Sequence, residues 1–340
     1  MSEDARVKVE TESLAVMHAD RLDPLWGLWH DRRDVFRRAP LFVTPPWLGA
    51  WKETLGRDAA LSVLIASAHD AIMGVLPLMR QGRLGVFAGD PQVCDYFDAV
   101  MVPGGEDAAW RAFLREARRS GLEALDLFPV RPDSAVLTHG VPLCEALGVP
   151  VSVERCDVTV EMPLAGSWEA YLSGLSGKQR HEVRRKMRRL EEAGAVRFRA
   201  VSDAAETDGA LEVFFRLFQS NREDKARFLT PAVKAYMETL CRAMSREGMM
   251  RLCFLDVNGT PAASALCFDD GETVSLYNNG YDASLASVSV GLVNTIHTIK
   301  DAVERGRRRY EFLRGDEIYK FRLGGREVPL YRVRIALEAG

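Results

Sequence analysis

The stretch Thr273–Glu304 reads TVSLYNNGYDASLASVSVGLVNTIHTIKDAVE. Residues 273–282 read as a strand that ends on Asn278, Asn279 and Gly280, residue types that favour a bulge or a splayed strand end. From 289 to 304 the period changes. Val290, Val293, Ile296, Ile299 and Val303 fall on one side of a helix. Between the two lie small residues, which let a backbone approach a ligand closely. A helix N-terminus there offers free N–H groups and a positive dipole end, together a site for an anion. The plain alternative is an ordinary strand-to-helix turn.

Two strands precede this unit, 250–257 and 261–270, so three antiparallel strands lead into a helix. Before them come helices at 204–220 and from Pro231, with Thr230 as its cap. After them come a strand at 309–313, a polar segment and a strand at 328–337. The first half shows the same order: helices at 23–38 and 45–55, strands at 61–67, 71–79, 83–89 and 96–102, a helix at 105–119, a strand at 122–128, a helix at 133–147 and a strand at 151–161. Two halves of one element order predict a structural duplication. The expected class is α/β (α+β): two domains, each with a mixed, largely antiparallel sheet flanked by helices. The boundaries predicted are 1–165 and 194–340, joined by a helical segment at 166–193. That segment carries an apolar stripe of Trp168, Leu172, Leu175, Val183, Met187 and Leu190. Ser176 and Gln179 are placed for a capping box, so a break at Gly174–Gly177 is expected.

The chain has 340 residues, enough for two cores, with a formal net charge of -3 that gives no global pull toward nucleic acid. Its six cysteines form no CxxC and mostly sit in apolar runs, as reduced core residues do. Its six histidines show no HxxxH or HxH spacing, so no metal is expected. The polar start MSEDARVKVETES does not read as a signal peptide, and no apolar run is long enough to span a bilayer. A cytoplasmic location is the expectation.

Residues 178–189, KQRHEVRRKMRR, hold seven Lys or Arg against Glu182 alone. Arg184 with Arg188, and Arg185 with Arg189, place like charges one turn apart, at a cost of a few tenths of a kcal/mol per pair. Either an anion lies nearby or solvent screens the face. On the anion reading Lys178 and Arg180, at the helix start, are the expected ligand contacts, with Arg184 beside them.

The segment Arg307–Gly325, RRRYEFLRGDEIYKFRLGG, ends a hydrophobic strand on ionisable groups. Together with FVTPPWLGAW (42–51), DYFDAVMVP (95–103), YLSGLSGKQRHEVRRKMRRLE (171–191), NNGYDASLASVSVGL (278–292) and YEFLRGDEIYKFR (310–322), it resembles the GNAT acyltransferase superfamily. More narrowly the chain resembles the BioF2-like, CelD-type group, itself similar to the FemABX transferases with their two GNAT-like domains. The resemblance covers roughly 40–325. The superfamily's Gln/Arg-x-x-Gly-x-Gly/Ala loop is absent, and Ser289-Val290-Gly291 stands where related sequences show Ser-Pro-Gly.

The resemblance implies tandem GNAT-like domains, the first non-catalytic and on the acceptor side, the second holding the acyl donor. It implies an acyl-CoA-dependent N-acyltransferase, most simply an acetyltransferase, acting on an amine of a small molecule, sugar or peptide. Acyl-CoA or acetyl-CoA would be the co-substrate, bound at Asn278, Asn279, Val288, Ser289, Val290, Gly291 and Leu292. Tyr319 falls on the position that protonates the departing CoA thiolate, and Lys320 on the lysine of the YK signature. Asp316 joins them as a catalytic candidate, with an N-cap as its plain alternative. Asp95, Tyr96, Asp98, Lys178, Arg180, Arg184, Tyr281 and Asp282 are expected around the acceptor, and His297 is a weaker candidate. Two other readings stand: a Fem-type aminoacyltransferase using aminoacyl-tRNA, with the basic run on RNA, and a non-catalytic GNAT-like binding protein.

Overall fold

The computed structural model describes residues 14–37, 39–220 and 227–337. The polar N-terminal stretch 1–13 lies outside them. The chain divides into two compact units, one reaching to Asp157 and resuming at Val328, the other Val158–Glu327.

In the first unit the order is β1 (Ala15–Ala19), α1 (Asp23–Asp31), α2 (Pro45–Glu53), β2 (Val63–Ala68), β3 (Ala71–Leu76), β4 (Leu78–Gln81), β5 (Leu84–Phe87), β6 (Val100–Met101), α3 (Glu106–Arg119), β7 (Ala124–Val130) and α4 (Val141–Ala146). Strands β1, β2, β3 and β6 form an antiparallel sheet, and β4, β5 and β7 a second set in which β5 and β7 run parallel. Pro77 lacks an N–H and splits the expected strand 71–79 into β3 and β4. The expected strand 96–102 shrinks to two residues because Asp98 takes the N–H of Ala99 (2.8 Å) and leaves the ladder. Trp47, Trp110, Phe42 and Phe113 are fully buried in this unit's core.

Strand β8 (Val151–Pro163) carries the chain into the second unit. There follow α5 (Trp168–Gly174), α6 (Gly177–Ala193), β9 (Val196–Val201), α7 (Thr207–Ser220), α8 (Pro231–Arg246), β10 (Met250–Val257), β11 (Thr260–Asp269), β12 (Thr273–Tyr281), a 3₁₀ turn Ala283–Val288, α9 (Val290–Glu304), β13 (Arg309–Arg314) and α10 (Ile318–Arg322). Strand β14 (Arg326–Ala336) returns the chain to the first unit, where it pairs antiparallel with β7.

The segment 166–193 is two helices, as its sequence implies, and both lie inside the second unit rather than between two bodies. Ser176 accepts from the N–H of Gln179, whose side chain accepts from the N–H of Ser176. Such a cap contributes about 1 kcal/mol and fixes where α6 begins. Thr230 caps α8 in the same local way, with Pro231 at its first position.

The second unit's strands lie in the order β8-β13-β12-β11-β10-β9. All neighbours run antiparallel except β12 and β13, which run parallel. On one face Cys253, Ala265, Cys267, Val274 and Leu276 pack with Tyr171, Val183, Ile296 and Ile299 from α5, α6 and α9. Leu252, Phe254, Leu266 and Phe268 alternate with these along the strands and are as deeply buried. Helix α7 packs on β11 and β12, and α8 on β10.

Candidate active site

The parallel pair β12–β13 decides where a ligand can enter the second unit. It holds for three rungs, Thr273↔Arg309, Val274↔Tyr310 and Ser275↔Glu311, and no further. Both strands then deviate. Strand β12 slips register against β11 between the Leu266 and Cys267 rungs, which leaves Tyr277 as the extra residue. Strand β13 slips against β8 between Glu311 and Leu313. The bulge expected from Asn278, Asn279 and Gly280 is present, one residue earlier. Past Ser275 the facing edges of β12 and β13 no longer bond each other.

Helix α9 connects these strands. Its N-cap Ser289 is left-handed, at φ 59°, and makes no capping bond with its side chain. A left-handed non-glycine residue costs roughly 1–2 kcal/mol. The first backbone bond of the helix is Val293 N–H to Ser289 O at 3.0 Å. Among the described residues no backbone acceptor takes the N–H of Val290, Gly291 or Leu292. The hydroxyl of Ser289 accepts instead from Nζ of Lys186, at 2.8 Å. Lys186 also lies 3.5 Å from Glu182, and the hydrogen bond from Arg185, with Lys186 behind it, holds that carboxyl down at about 2. A lysine therefore stands at the positive end of a helix with three N–H groups to spare, an arrangement for an anion.

Gly291 is small for an internal reason. A Cβ there would lie 2.5 Å from the ring of Tyr281, which rests on the first turn of α9. Tyr281 is thus packing for the helix start. Asp282 accepts from the N–H (2.9 Å) and hydroxyl (2.7 Å) of Ser284 and caps the 3₁₀ turn, and those bonds lower its carboxyl. The expectation of acceptor contacts at these two positions gives way to local structural roles. Asn278 and Asn279 are half-buried past the bulge, and Val288 and Leu292 are half-buried at either side of the cap.

On the other side of the parting stands Tyr319, half-buried on α10 with its ring 6.3 Å from that of Phe312. Burial, then the charge of Glu317, raise its phenol above the ordinary value, while a hydrogen bond with Asn279 works the other way. The phenol therefore keeps its proton throughout the physiological range. Lys320, 2% exposed, points elsewhere. Its ammonium donates to the carbonyls of Leu313 (3.0 Å), Arg314 (2.7 Å) and Gly315 (3.1 Å), and Oε2 of Glu317 lies 2.9 Å away. Leu313 at φ 61° and Gly315 at φ 100° turn those carbonyls inward. The lysine expected among the catalytic groups spends its three N–H bonds on the turn that carries Tyr319. Asp316 is exposed, and Glu317, not Asp316, occupies the N-cap position of α10.

The basic run divides. Arg180 reaches the carbonyls of Leu172 and Ser173 (3.4 Å each) and closes the end of α5. Arg185 pairs with Glu182 at 2.8 Å. Lys178 and Arg184 are exposed, as are Arg188 and Arg189. The residue that meets the start of α9 is Lys186, which sequence reasoning passed over. The like-charge run was the signal, but only the packing of α6 shows which rung faces inward.

In the first unit Tyr96 is 3% exposed, edge-on to Phe42 and with the guanidinium of Arg131 over its ring. Asp98 accepts from the N–H groups of Ala99, Ala135 and Val136. Both are interior supports rather than the acceptor contacts expected, while Asp95 is half-buried. His297, on α9, stacks on Phe198, and burial followed by the charge of Lys300 lowers it to about 4. Among the described residues no cluster of His, Cys, Asp or Glu is arranged to hold a metal.

Residues 177–321, all within the second unit, match the family model of the acetyltransferase (GNAT) domain. In fold the chain is similar to the crystal structure of FemX, with a TM-score of 0.63 and 13% identity over 94% of this chain and 96% of that one. It is similar to the C-terminal domain of a putative lysylphosphatidylglycerol synthetase from Agrobacterium fabrum, with a TM-score of 0.59 and 11% identity over 92% of each chain. A conserved protein of unknown function from Bacteroides thetaiotaomicron also aligns, with a TM-score of 0.59 and 12% identity over 95% of this chain and 100% of that one. No curated protein matches in sequence. Identities this low describe a shared fold. The segment 177–321 thus matches the GNAT acetyltransferase domain, within a chain that shares its fold with FemX.

Proposed function

We propose that the protein transfers an acyl group from acyl-CoA, in the simplest case acetyl-CoA, directly to an amine of a small molecule, sugar or peptide. The observation that carries this is the start of α9, where three N–H groups without backbone acceptors and Lys186 meet beside the parting of β12 and β13. The pyrophosphate of the donor docks on those N–H groups. Its thioester end runs between the parted strands toward Tyr319. The amine attacks the thioester carbonyl, and the tetrahedral oxyanion collapses with loss of the thiolate. Tyr319 hands its proton to that sulfur. Asp316, exposed on the same turn, is the acid free to take the proton of the attacking amine. Lys320 holds the turn in place. The resemblance to the BioF2-like group agrees with a CoA donor, and the cytoplasm is where that donor is made.

A Fem-type reading draws on one further observation. Lys178, Arg184, Arg188 and Arg189 form an exposed basic face on α6, which suits the phosphates of an aminoacyl-tRNA. Thermal-shift titrations with CoA, acetyl-CoA, longer acyl-CoAs and aminoacyl-tRNA separate the readings. Stabilisation by acyl-CoA at micromolar concentration is expected. Stabilisation by tRNA alone would replace CoA with the Fem-type donor. A response to none would leave a non-catalytic binding protein.

A further inference from the structure

Asn294 lies one turn into α9, is 1% exposed, and its amide oxygen has no hydrogen-bond partner among the described residues. A buried acceptor without a donor is costly and rare in a folded protein. Serine and threonine hydroxyls can swing to a new partner, but a packed amide has little freedom to do so. The question is what donor this oxygen awaits.

The topology locates it. Helix α9 crosses from β12 to the parallel strand β13, so it runs against both of them. Thr298, one turn further along, bonds through Oγ1 to the hydroxyl of Tyr310 at 2.6 Å. Tyr310 belongs to the second of the three rungs that join β12 and β13. Asn294 is four residues nearer the helix start on the same face, about 6 Å back along the axis. Against the helix direction that is about two strand residues onward, to the level of Leu276 and Phe312. There the strands have already parted. Helical side chains lean toward the N-terminus, which carries the amide further over the gap.

We infer that Asn294 is a binding residue for the arm of the acyl donor: its oxygen accepts a hydrogen bond from an amide N–H of the chain that links the phosphates to the thioester. The inference rests on the acyl-CoA reading above, whose donor carries two such amides. It adds a neutral contact midway between the anion end at Ser289 and the phenol of Tyr319. Such a contact sets the depth of the thioester relative to Tyr319. It also selects an amide-bearing arm over a nucleotide alone.

The test is isothermal titration of the full chain with CoA and with adenosine 3′,5′-diphosphate, which lacks the arm, alongside melting of the ligand-free protein. Asn294→Leu keeps the volume and removes the orphaned acceptor, and Asn294→Ala serves as a second variant. Expected is CoA binding about tenfold weaker in both variants, unchanged binding of adenosine 3′,5′-diphosphate, and a ligand-free melting point for Asn294→Leu no lower than wild type. A purely structural amide would instead lower the melting point of both variants and spare CoA affinity, and that result overturns the inference. Equal loss for both ligands also overturns it, since the contact would then not be to the arm. A wild-type protein that binds no CoA removes the acyl-CoA reading itself, and the inference with it. Wild-type binding with unchanged affinity in both variants removes the inference alone.

Discussion

The starts of α3 and α9 occupy the same place in the order of their units, after a run of strands and before the next strand, yet they are furnished oppositely. Helix α3 begins at Gly105 and carries Glu106 and Asp107 in its first turn. Glu106 accepts the N–H of Gly104 at 2.7 Å, and Asp107 pairs with His139 at 2.8 Å. The neighbouring cavity, about 170 Å³, is lined by Asp98, Glu106 and Asp133. Helix α9 has no acid in its first turn, and Lys186 stands at its cap. In the first unit carboxylates of the chain itself answer the positive helix end. In the second no acid of the first turn does so, which on the acyl-CoA reading leaves that end to the donor's phosphates. On that reading only the second unit offers a helix start to the donor, and the difference lies in the few side chains at the two first turns.

The largest expected effect tests whether the second unit holds the chemistry. Tyr319→Phe keeps the ring against Phe312 and removes the hydroxyl. With a good amine acceptor, kcat should fall roughly 10²-fold or more while CoA affinity barely changes. Because burial holds the phenol above its ordinary value, the wild-type rate should show no basic limb due to Tyr319 below about pH 10. A variant with near-normal kcat would make Tyr319 a packing residue.

Giving α9 the furnishing of α3 is the next test. Ser289→Asp places a carboxylate at the cap, beside Lys186. The helix should gain a capping bond and lose its anion site. CoA affinity should drop more than tenfold with the melting point held or raised, by titration and calorimetry on the same sample. Undiminished affinity would mean that the phosphates do not dock at this helix.

Lys186→Met should weaken CoA binding by about tenfold, whereas Lys178→Ala and Arg184→Ala should leave it within twofold, because of these three it is Lys186 that bonds the cap. Equal losses from all three would show a diffuse field from the whole helix rather than a local contact.

The elements that sequence placed well are those governed by local rules. Ser176 with Gln179, and Thr230 with Pro231, announce helix starts within four residues, and β10 has the bounds that its apolar run suggests. Tyr319 and the Ser289–Gly291 turn were singled out through a resemblance in which motif and spacing travel together, and the titrations and variants above are their test. Three features were not visible because distant contacts decide them. Lys186 meets Ser289 across 103 positions, and nothing in a run of seven basic residues says which one turns inward. Lys320 looked catalytic because the left-handed Leu313, which delivers carbonyls to it, leaves no trace in the residue types. Tyr96 and Asp98 looked like site residues because an aromatic and an acid at a strand end read the same whether they face a ligand or the core.

The smallest expected effect contrasts the pH responses of the two units. Burial pushes the carboxyl of Asp98 up to about 7, against three backbone N–H bonds that favour its charged form. A carboxyl raised in the folded state contributes stability that is complete below its unfolded value near 4 and is lost as pH climbs toward 7. His297 behaves in the opposite sense. Burial and Lys300 lower it to about 4, so its contribution is present above about 6.5 and is lost as pH falls through 4. Five of the six tryptophans, at 26, 29, 47, 51 and 110, lie in the first unit, so tryptophan fluorescence follows that unit. Its melting point should fall by on the order of a few degrees between pH 5 and pH 8, and Asp98→Asn should flatten that slope. His297→Gln should leave that slope alone and instead reduce the loss of stability between pH 6 and pH 4, followed by circular dichroism. If Asp98→Asn keeps the wild-type slope, the three N–H bonds outweigh burial and Asp98 is ionised throughout. The acidic lining of the first unit's cavity would then carry its full negative charge at neutral pH, and the contrast with the start of α9 would sharpen.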